Sequence, residues 1–317
     1  MRVLCFTNMY PSDADPIAGC FVRDLVEDVR ALGIDVSVLA FDGRERKRAY
    51  ADAAVELRRC LLRRPGYDLV HAHYGLTGFV AVGQRRVPTI VTFHGSDTGN
   101  PYVRWQRWPS WLAARLGTPV FVSRDGARRL GRPNAAVVPA GVDVDLFRPR
   151  AREKARAALG WPLRGKYVLL PGARSNRTKN ASLFDTVVDE LRRRVEDVTP
   201  VSLEGFARHE VADVMNAVDV TLMTSVFEGS PVATKESLAC LTPVVSVPVG
   251  DLPELLDGLP GCAVAPTRPA ALADAVVGAF AAGRQPALRE RAEALSRRRI
   301  AERTVSLYES VLAGSRG

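Results

Sequence analysis

The chain has 317 residues, a net charge of +9 and a hydrophobic fraction of 47%. That length suits two domains of ordinary size, and that apolar content excludes an intrinsically disordered chain. No run of about 18 apolar residues is present, which excludes a spanning helix, and the start, Met1-Arg2-Val3-Leu4-Cys5-Phe6-Thr7-Asn8, reads as a buried strand rather than a signal peptide.

Strand-like and helix-like segments alternate along the first half. A strand over 2–7 precedes a helix over 19–32, in which Phe21, Leu25, Val29 and Leu32 form a helical stripe that Gly33 stops. A strand over 34–40 and a helix over 46–64 follow, then short strands over 68–71, 89–93, 120–123 and 136–138. Such alternation implies a parallel sheet with helices on both faces. The segment 139–149, with Pro139, Gly141, Phe147 and Pro149, breaks the pattern and reads as the join between domains. Alternation then restarts. Strands are predicted over 167–171, 198–203, 218–223, 244–247 and 262–264, helices over 180–195, 209–217, 231–239, 251–256 and 269–282, and an Arg-rich helix over 285–313. The fold class is therefore α/β, with two doubly wound domains. In sheets of this kind, ligands sit beyond the carboxyl ends of the strands.

Charge and cysteine narrow the partners. Of the +9, +6 lies in the first 148 residues, and Arg supplies 39 of the 44 basic residues, a bias that points to composition more than to function. The excess suits an anionic small molecule or an anionic membrane surface. No zinc-finger spacing, ribonucleoprotein motif or basic tail argues for nucleic acid. Five scattered cysteines without C-x-x-C fit a reducing cytoplasm, and Cys5, Cys240 and Cys262 read as small buried hydrophobes. The expected location is cytoplasmic, with peripheral contact at the inner face of the membrane left open.

The candidate residues lie at predicted strand ends. Gly19 opens a helix after the loop 8–18, where free N–H groups can hold an anion or hydroxyls; an ordinary loop explains it equally well. His71 and His73, at i and i+2 on a strand, point to one side. With His94, in Thr92-Phe93-His94-Gly95-Ser96-Asp97, they make a metal-dependent hydrolase one reading. Against it, only four His exist and no acidic residue completes the set. A hydrogen-bonded buried His71, with His73 and His94 as polar contacts or proton handlers, is the other reading. In the second half, Pro171-Gly172-Ala173-Arg174-Ser175-Asn176-Arg177-Thr178-Lys179-Asn180 places Arg174, Arg177 and Lys179 before a helix, either as a diphosphate clamp or as a solvated basic turn. Phe227-Glu228-Gly229-Ser230-Pro231-Val232-Ala233-Thr234-Lys235-Glu236 puts one carboxylate at a helix mouth and another along the helix. Two such carboxylates can grip separate hydroxyl pairs of one ligand while N–H groups of Gly229, Ser230 and Val232 face a phosphate. A capped surface helix is the plain alternative.

Taken in order, His71-Ala72-His73-Tyr74-Gly75, His94-Gly95-Ser96-Asp97, the Pro139-Ala140-Gly141-Val142-Asp143 stretch, the Arg/Lys loop and the Glu-x7-Glu pair resemble the retaining GT-B glycosyltransferases of the family-4 type across nearly the whole chain. Phe21-Val22-Arg23-Asp24 and Glu228-Gly229-Ser230-Pro231 resemble its teichuronic-acid-type polysaccharide branch. The resemblance implies two Rossmann-like domains facing a cleft: an acceptor-binding domain over 1–148, a nucleotide-sugar-binding domain over 149–298, and a helix over 299–317 packing back toward the first. It implies transfer of a sugar from a UDP- or GDP-type nucleotide sugar to a hydroxyl, with anomeric configuration retained and no metal. The acceptor is then a sugar, a lipid-linked molecule or a small molecule, in surface polysaccharide or natural-product glycoside synthesis.

By the same resemblance, Lys179 with Arg174 or Arg177 neutralises the diphosphate. Glu236 holds the ribose, and Glu228 with Gly229, Ser230 and Val232 contacts the donor. His94 lies near the reacting sugar, and Gly19, His73 and Asp97 line the acceptor side. The family often has Asn where Ala140 stands, and the chain is shorter than most members. No nucleophile with a partnered base is visible, and none is required if the leaving phosphate takes the acceptor proton. An inactive nucleotide-binding module is a further alternative.

Trp105, Trp108 and Trp111 recur every three residues beside Arg104 and Arg107. They read either as a core-facing stripe or as a surface for sugars, an apolar aglycone or a membrane interface. The basic runs 44–48 and 58–64 read as a bilayer contact or as a solvated helix face.

Overall fold

The computed structural model describes residues 1–12, 15, 19–43, 48–63 and 66–314. The chain forms two compact units, Met1–Gly141 with Arg297–Gly317, and Val142–Ser296. The division thus falls at Gly141, ahead of the expected 148, and the return to the first unit begins at Arg297.

The first unit holds β1 (Arg2–Thr7), β2 (Asp35–Ala40), β3 (Leu69–His73), β4 (Thr89–Phe93), β5 (Thr118–Phe121) and β6 (Ala136–Val137), in the order β2-β1-β3-β4-β5-β6. Every pairing in it is parallel. Strand alternation sorts the side chains to two faces. Leu4, Phe6, Val70, Ala72, Val91, Phe93 and Phe121 build one core. Val3, Cys5, Leu69, Ile90 and Val120 build the other, under Val22, Val26 and Val29 of the Cys20–Ala31 helix and Ala301 and Tyr308 of the last helix, Arg297–Gly314. Arg297 ties these two helices together, with Nε 2.8 Å from Asp28 Oδ2.

The second unit holds β7 (Lys166–Leu170), β8 (Val198–Ser202), β9 (Val220–Met223), β10 (Val244–Ser246) and β11 (Ala263–Val264), in the order β11-β10-β9-β7-β8, again all parallel. Tyr167, Leu169, Met223 and Val244 face one core, and Val168, Leu170, Val220, Leu222 and Val245 face the other. The buried Asp219 fixes the start of β7, accepting from Tyr167 N at 2.8 Å and from Arg156 Nη2 at 2.8 Å. Two doubly wound parallel units are what the alternation predicts.

The differences are local. β3 runs on to His73, beyond the predicted 71. The predicted helix over 285–313 is two helices, Pro286–Glu293 and Arg297–Gly314. The short helices Gly75–Ala81 and Arg124–Arg129, absent from the sequence reading, fill the connections after β3 and β5. Cys5 and Cys240 are buried, but Cys262 is partly exposed. The tryptophan stripe does not face the core: Trp105, Trp108 and Trp111 are 61%, 63% and 43% exposed. Part of the loop before Gly19, the run 44–47 and residues 64–65 lie outside the described residues. Among those described, no helix is long and apolar enough to cross a membrane.

Candidate active site

In the second unit, β7 ends at Leu170 and the chain turns through Gly172 into the loop that carries the expected cations. Gly172 has φ 158°, and a Cβ there would lie 2.6 Å from Lys179 Cε. The missing side chain leaves room for the lysine stem to cross the backbone at this point. Lys179 then reaches Glu228, with Nζ 2.8 Å from Oε1, and both side chains are mostly buried. Ser225 Oγ donates to the same carboxylate oxygen at 2.8 Å. Thr224 Oγ1 donates to Lys179 O at 2.9 Å, and Val226 N to Thr178 O at 2.9 Å. The two loops that follow β7 and β9 are thereby locked to one another.

The arginines of this loop sit differently. Arg174 forms a fork with Asp185, at 2.7 and 2.6 Å, on the exposed edge of the Ala181–Arg192 helix. That hydrogen bond raises its pKa. In this structure Arg174 therefore faces Asp185 and not the Lys179–Glu228 pair. Arg177 is exposed and opens the short 3-10 turn Arg177–Lys179.

Glu236 is buried on the Val232–Ala239 helix, and Arg208 Nη1 lies 2.6 Å from its Oε1. The Arg208 guanidinium carbon also sits 4.5 Å from the Phe147 ring centroid. No side chain caps the start of the Val232–Ala239 helix, which follows Pro231. Ser230 donates to Asp251 Oδ2 at 2.5 Å, and the fully buried Lys235 places its Nζ 3.0 Å from the same oxygen and also bonds Ser230 Oγ. Asp251 N donates to Gly229 O at 3.1 Å. The Glu228–Ser230 turn is thus clasped from behind by a buried cation and a carboxylate.

In the first unit, the carboxyl ends of β3 and β4 bring His71, His73 and His94 together. The His71 and His73 rings lie 4.1 Å apart, tilted by 36°, and His73 Nδ1 is hydrogen-bonded to His94 Nε2 at 3.1 Å. Phe21 packs on His94 at 4.9 Å. Both His71 nitrogens are engaged, Nδ1 with the Tyr308 hydroxyl at 2.6 Å and Nε2 with Thr92 Oγ1 at 2.7 Å. His71 is the buried, hydrogen-bonded histidine of the plainer reading, and it has no ring nitrogen left for a metal. Among the described residues, no group of three or more His, Cys, Asp or Glu is arranged to hold one. Burial pushes the His71 pKa down to about 3 and that of His73 well below the usual value, so both rings are neutral.

Asp97 corrects an expectation. It is 1% exposed, and its carboxylate accepts from Gly75 N at 2.9 Å, Gly95 N at 2.9 Å and His94 N at 3.3 Å. It staples the loops after β3 and β4 rather than presenting a carboxylate to an acceptor. Burial pushes its pKa up to about 6, against those hydrogen bonds. Gly19 caps the Cys20–Ala31 helix with φ 66°, and a Cβ there would lie 2.3 Å from Met9 C, so the residue must be glycine.

Arg208, Lys235, Asp251 and Tyr308 are among the residues of these clusters that escaped the sequence reading. Each is defined by a partner distant in the chain, and Arg208 is one of 39 arginines.

Comparison with known proteins resolves what these clusters belong to. The model described as "Glycosyl transferases group 1" matches residues 177–281, and "Glycosyltransferase Family 4" matches 18–146. The chain belongs to the family-4 glycosyltransferases. Among curated relatives, the "Putative teichuronic acid biosynthesis glycosyltransferase TuaC" of Bacillus subtilis (strain 168) is 24% identical over 345 residues, covering 87% of this chain and 88% of its own. Among solved structures, sucrose-phosphate synthase from Thermosynechococcus elongatus aligns with a TM-score of 0.77 at 21% identity, over 99% of both chains. Anabaena HepE in complex with UDP and glucose aligns with a TM-score of 0.72 at 16% identity, over 98% of this chain and all (100%) of that one. These likenesses carry the fold, and this glycosyltransferase has the two Rossmann-like units of GT-B proteins. The family-4 match lies over the histidine cluster, and the group 1 match over the Lys179, Glu228 and Glu236 cluster.

Proposed function

We propose that this glycosyltransferase transfers a sugar with retention from a nucleotide-diphosphate sugar to a hydroxyl acceptor. The observation that carries the reading is the Lys179–Glu228 contact of 2.8 Å beside a helix start that no side chain caps. A fixed cation and uncapped N–H groups suit a diphosphate, and the carboxylate beside them suits sugar hydroxyls. On this reading Lys179, with Arg174 or Arg177, neutralises the diphosphate, and Glu236 holds the ribose. Glu228, Gly229, Ser230 and Val232 contact the donor. His94 lies at the reacting sugar, and Gly19 and His73 line the acceptor side, with Asp97 holding their loops. The first unit then takes the acceptor and the second the nucleotide sugar, a UDP or GDP sugar by family resemblance.

In the step itself, the bond from the anomeric carbon to the phosphate oxygen breaks, and the acceptor oxygen bonds that carbon from the same face. The acceptor proton passes to the departing phosphate oxygen. No protein nucleophile is needed, and catalysis is positioning plus stabilisation of the leaving diphosphate. The cations supply that charge, so activity is expected to persist in a chelator. The acceptor belongs to surface polysaccharide or natural-product glycoside synthesis, as a sugar, a lipid-linked molecule or a small molecule.

A thermal-shift panel of nucleoside diphosphates and their sugars, followed by NMR of the product anomer, tests the reading. Stabilisation by one nucleotide and a product with the donor's anomeric configuration are expected. An inverted product, or complete loss of activity in chelator, would overturn the scheme.

A further inference from the structure

The chain has four tryptophans, and three of them, Trp105, Trp108 and Trp111, stand in the open at 61%, 63% and 43% exposure. Tyr102 (53%) precedes them at the same spacing of three, and Leu116 (55%) follows. Phe79, from the Gly75–Ala81 helix, extends the patch, its ring centroid 5.9 Å from that of Trp108. Large aromatic side chains are ordinarily withdrawn from water, and an exposed cluster of this size marks a contact surface. The aromatic line runs from the 3-10 helix Pro101–Gln106 into the helix Arg107–Leu116.

Cations flank it. Arg115 lies over the Trp111 ring, 5.3 Å from the centroid. Arg104 and Arg107, with Asn100 and Arg129, line a hollow of about 220 Å³, where Arg129 Nε is paired with Asp125 Oδ2 at 2.6 Å. Arg107 Nη2 donates to the Arg129 carbonyl at 3.4 Å. From Thr98 to Leu116 the sequence has three arginines and no acidic residue. Aromatic rings with an apolar body and a polar edge, set beside Arg104, Arg107 and Arg115, which meet no carboxylate among the described residues, match the headgroup zone of an anionic bilayer in both polarity and charge.

We propose that the 102–116 face docks this protein on the surface of an anionic phospholipid bilayer. Trp105, Trp108 and Trp111 enter the headgroup region, and the hollow lined by Arg104 and Arg107 receives a lipid phosphate. The inference does not depend on the transfer chemistry.

The test is co-sedimentation of the whole protein with vesicles of phosphatidylcholine alone and of equal parts phosphatidylcholine and phosphatidylglycerol. Tryptophan emission is recorded in parallel. The remaining tryptophan, Trp161, is stacked on Tyr167 at 5.0 Å and serves as an internal reference. Binding to the anionic vesicles should exceed binding to the neutral ones by about tenfold or more, weaken with salt and shift the emission to the blue. The combined variant Trp105→Ser, Trp108→Ser, Trp111→Ser should lose the binding while melting at the wild-type temperature. Arg104→Gln with Arg107→Gln should lose the preference for anionic lipid. The proposal is overturned if the wild type binds neither vesicle, if it binds both equally, or if the tryptophan variant binds as well as wild type. It is overturned equally if the patch instead mediates concentration-dependent self-association or capture of a protein partner without vesicle binding.

Discussion

Lys179 Nζ sits 2.8 Å from Glu228 Oε1, joining a cation from the loop after β7 to a carboxylate from the loop after β9. The pair lets each residue set the other's position before donor arrives. Replacing Lys179 by Ala removes the diphosphate cation and leaves Glu228 without its partner. Turnover with a nucleotide sugar should fall by more than ~2 kcal/mol of transition-state stabilisation, about 30-fold. Steady-state kinetics checks this, and near-normal turnover would reject the clamp. A double-mutant cycle with Glu228→Gln separates the pair's own coupling from each residue's contact with donor.

Glu236 is buried yet its carboxylate is met by Arg208 at 2.6 Å. Glu236→Ala should weaken nucleoside diphosphate affinity by about tenfold, the worth of a charged hydrogen-bonding group lost from a site. Calorimetric titration with the preferred nucleotide reads this directly, and unchanged affinity would remove Glu236 from donor binding.

Lys235 has no exposed surface and answers Asp251 at 3.0 Å. Asp251→Ala would strand a buried ammonium, at a cost of about 3–5 kcal/mol in unfolding free energy. Lys235→Met combined with Asp251→Asn should recover much of that loss, because no uncompensated charge remains. Chemical denaturation of the two variants compares them; equal destabilisation would show that the charge is not what matters.

Acidification should loosen the first unit. The folded-state pKa values of His71 and His73 lie below the ordinary value, His71 at about 3. Their contribution is present above the unfolded-state pKa near ~6.5 and is lost as pH falls below it, at about 1.4 kcal/mol per pH unit for each ring. Asp97 runs the other way. Its folded pKa is raised to about 6, so its stabilising contribution is held in acid and lost as pH rises through that value. Burial lowers His94 to about 3 as well, and three histidines against one carboxylate leave a net loss on going from about pH 6.5 to about pH 4.5. Melting temperature against pH checks the slope, and His73→Gln should reduce it. A flat profile in the wild type would contradict buried neutral histidines.

The periodic parts of the fold were legible in the sequence. Apolar strand runs and helical stripes placed both sheets, because burial on two faces leaves that signature. Helices of six or seven residues, such as Arg124–Arg129 and Gly75–Ala81, carry too few turns to show a period. The break between the last two helices was missed because Ala294-Leu295-Ser296 contains neither Gly nor Pro. For the site, residue type and order pointed to Lys179, Glu228 and Glu236, and to the family. They could not show that Asp97 is spent on backbone N–H groups, that Arg174 pairs with Asp185, or that Lys235 is buried. Those facts depend on partners brought close only by folding. Spacing likewise left the tryptophans between core and surface, since a period of three fits either face of a helix.

The last helix has a temporal consequence. Ala301 and Tyr308 complete the core that Val3, Cys5 and Val22 begin, and Tyr308 holds His71. During synthesis the face that the Cys20–Ala31 helix partly covers therefore receives its second helix only after the whole of Val142–Ser296 has been made. The later unit holds all its own strands and can finish folding before the earlier one. The Tyr308 contact to His71, from the first third of the chain, therefore forms only after the second unit has been made.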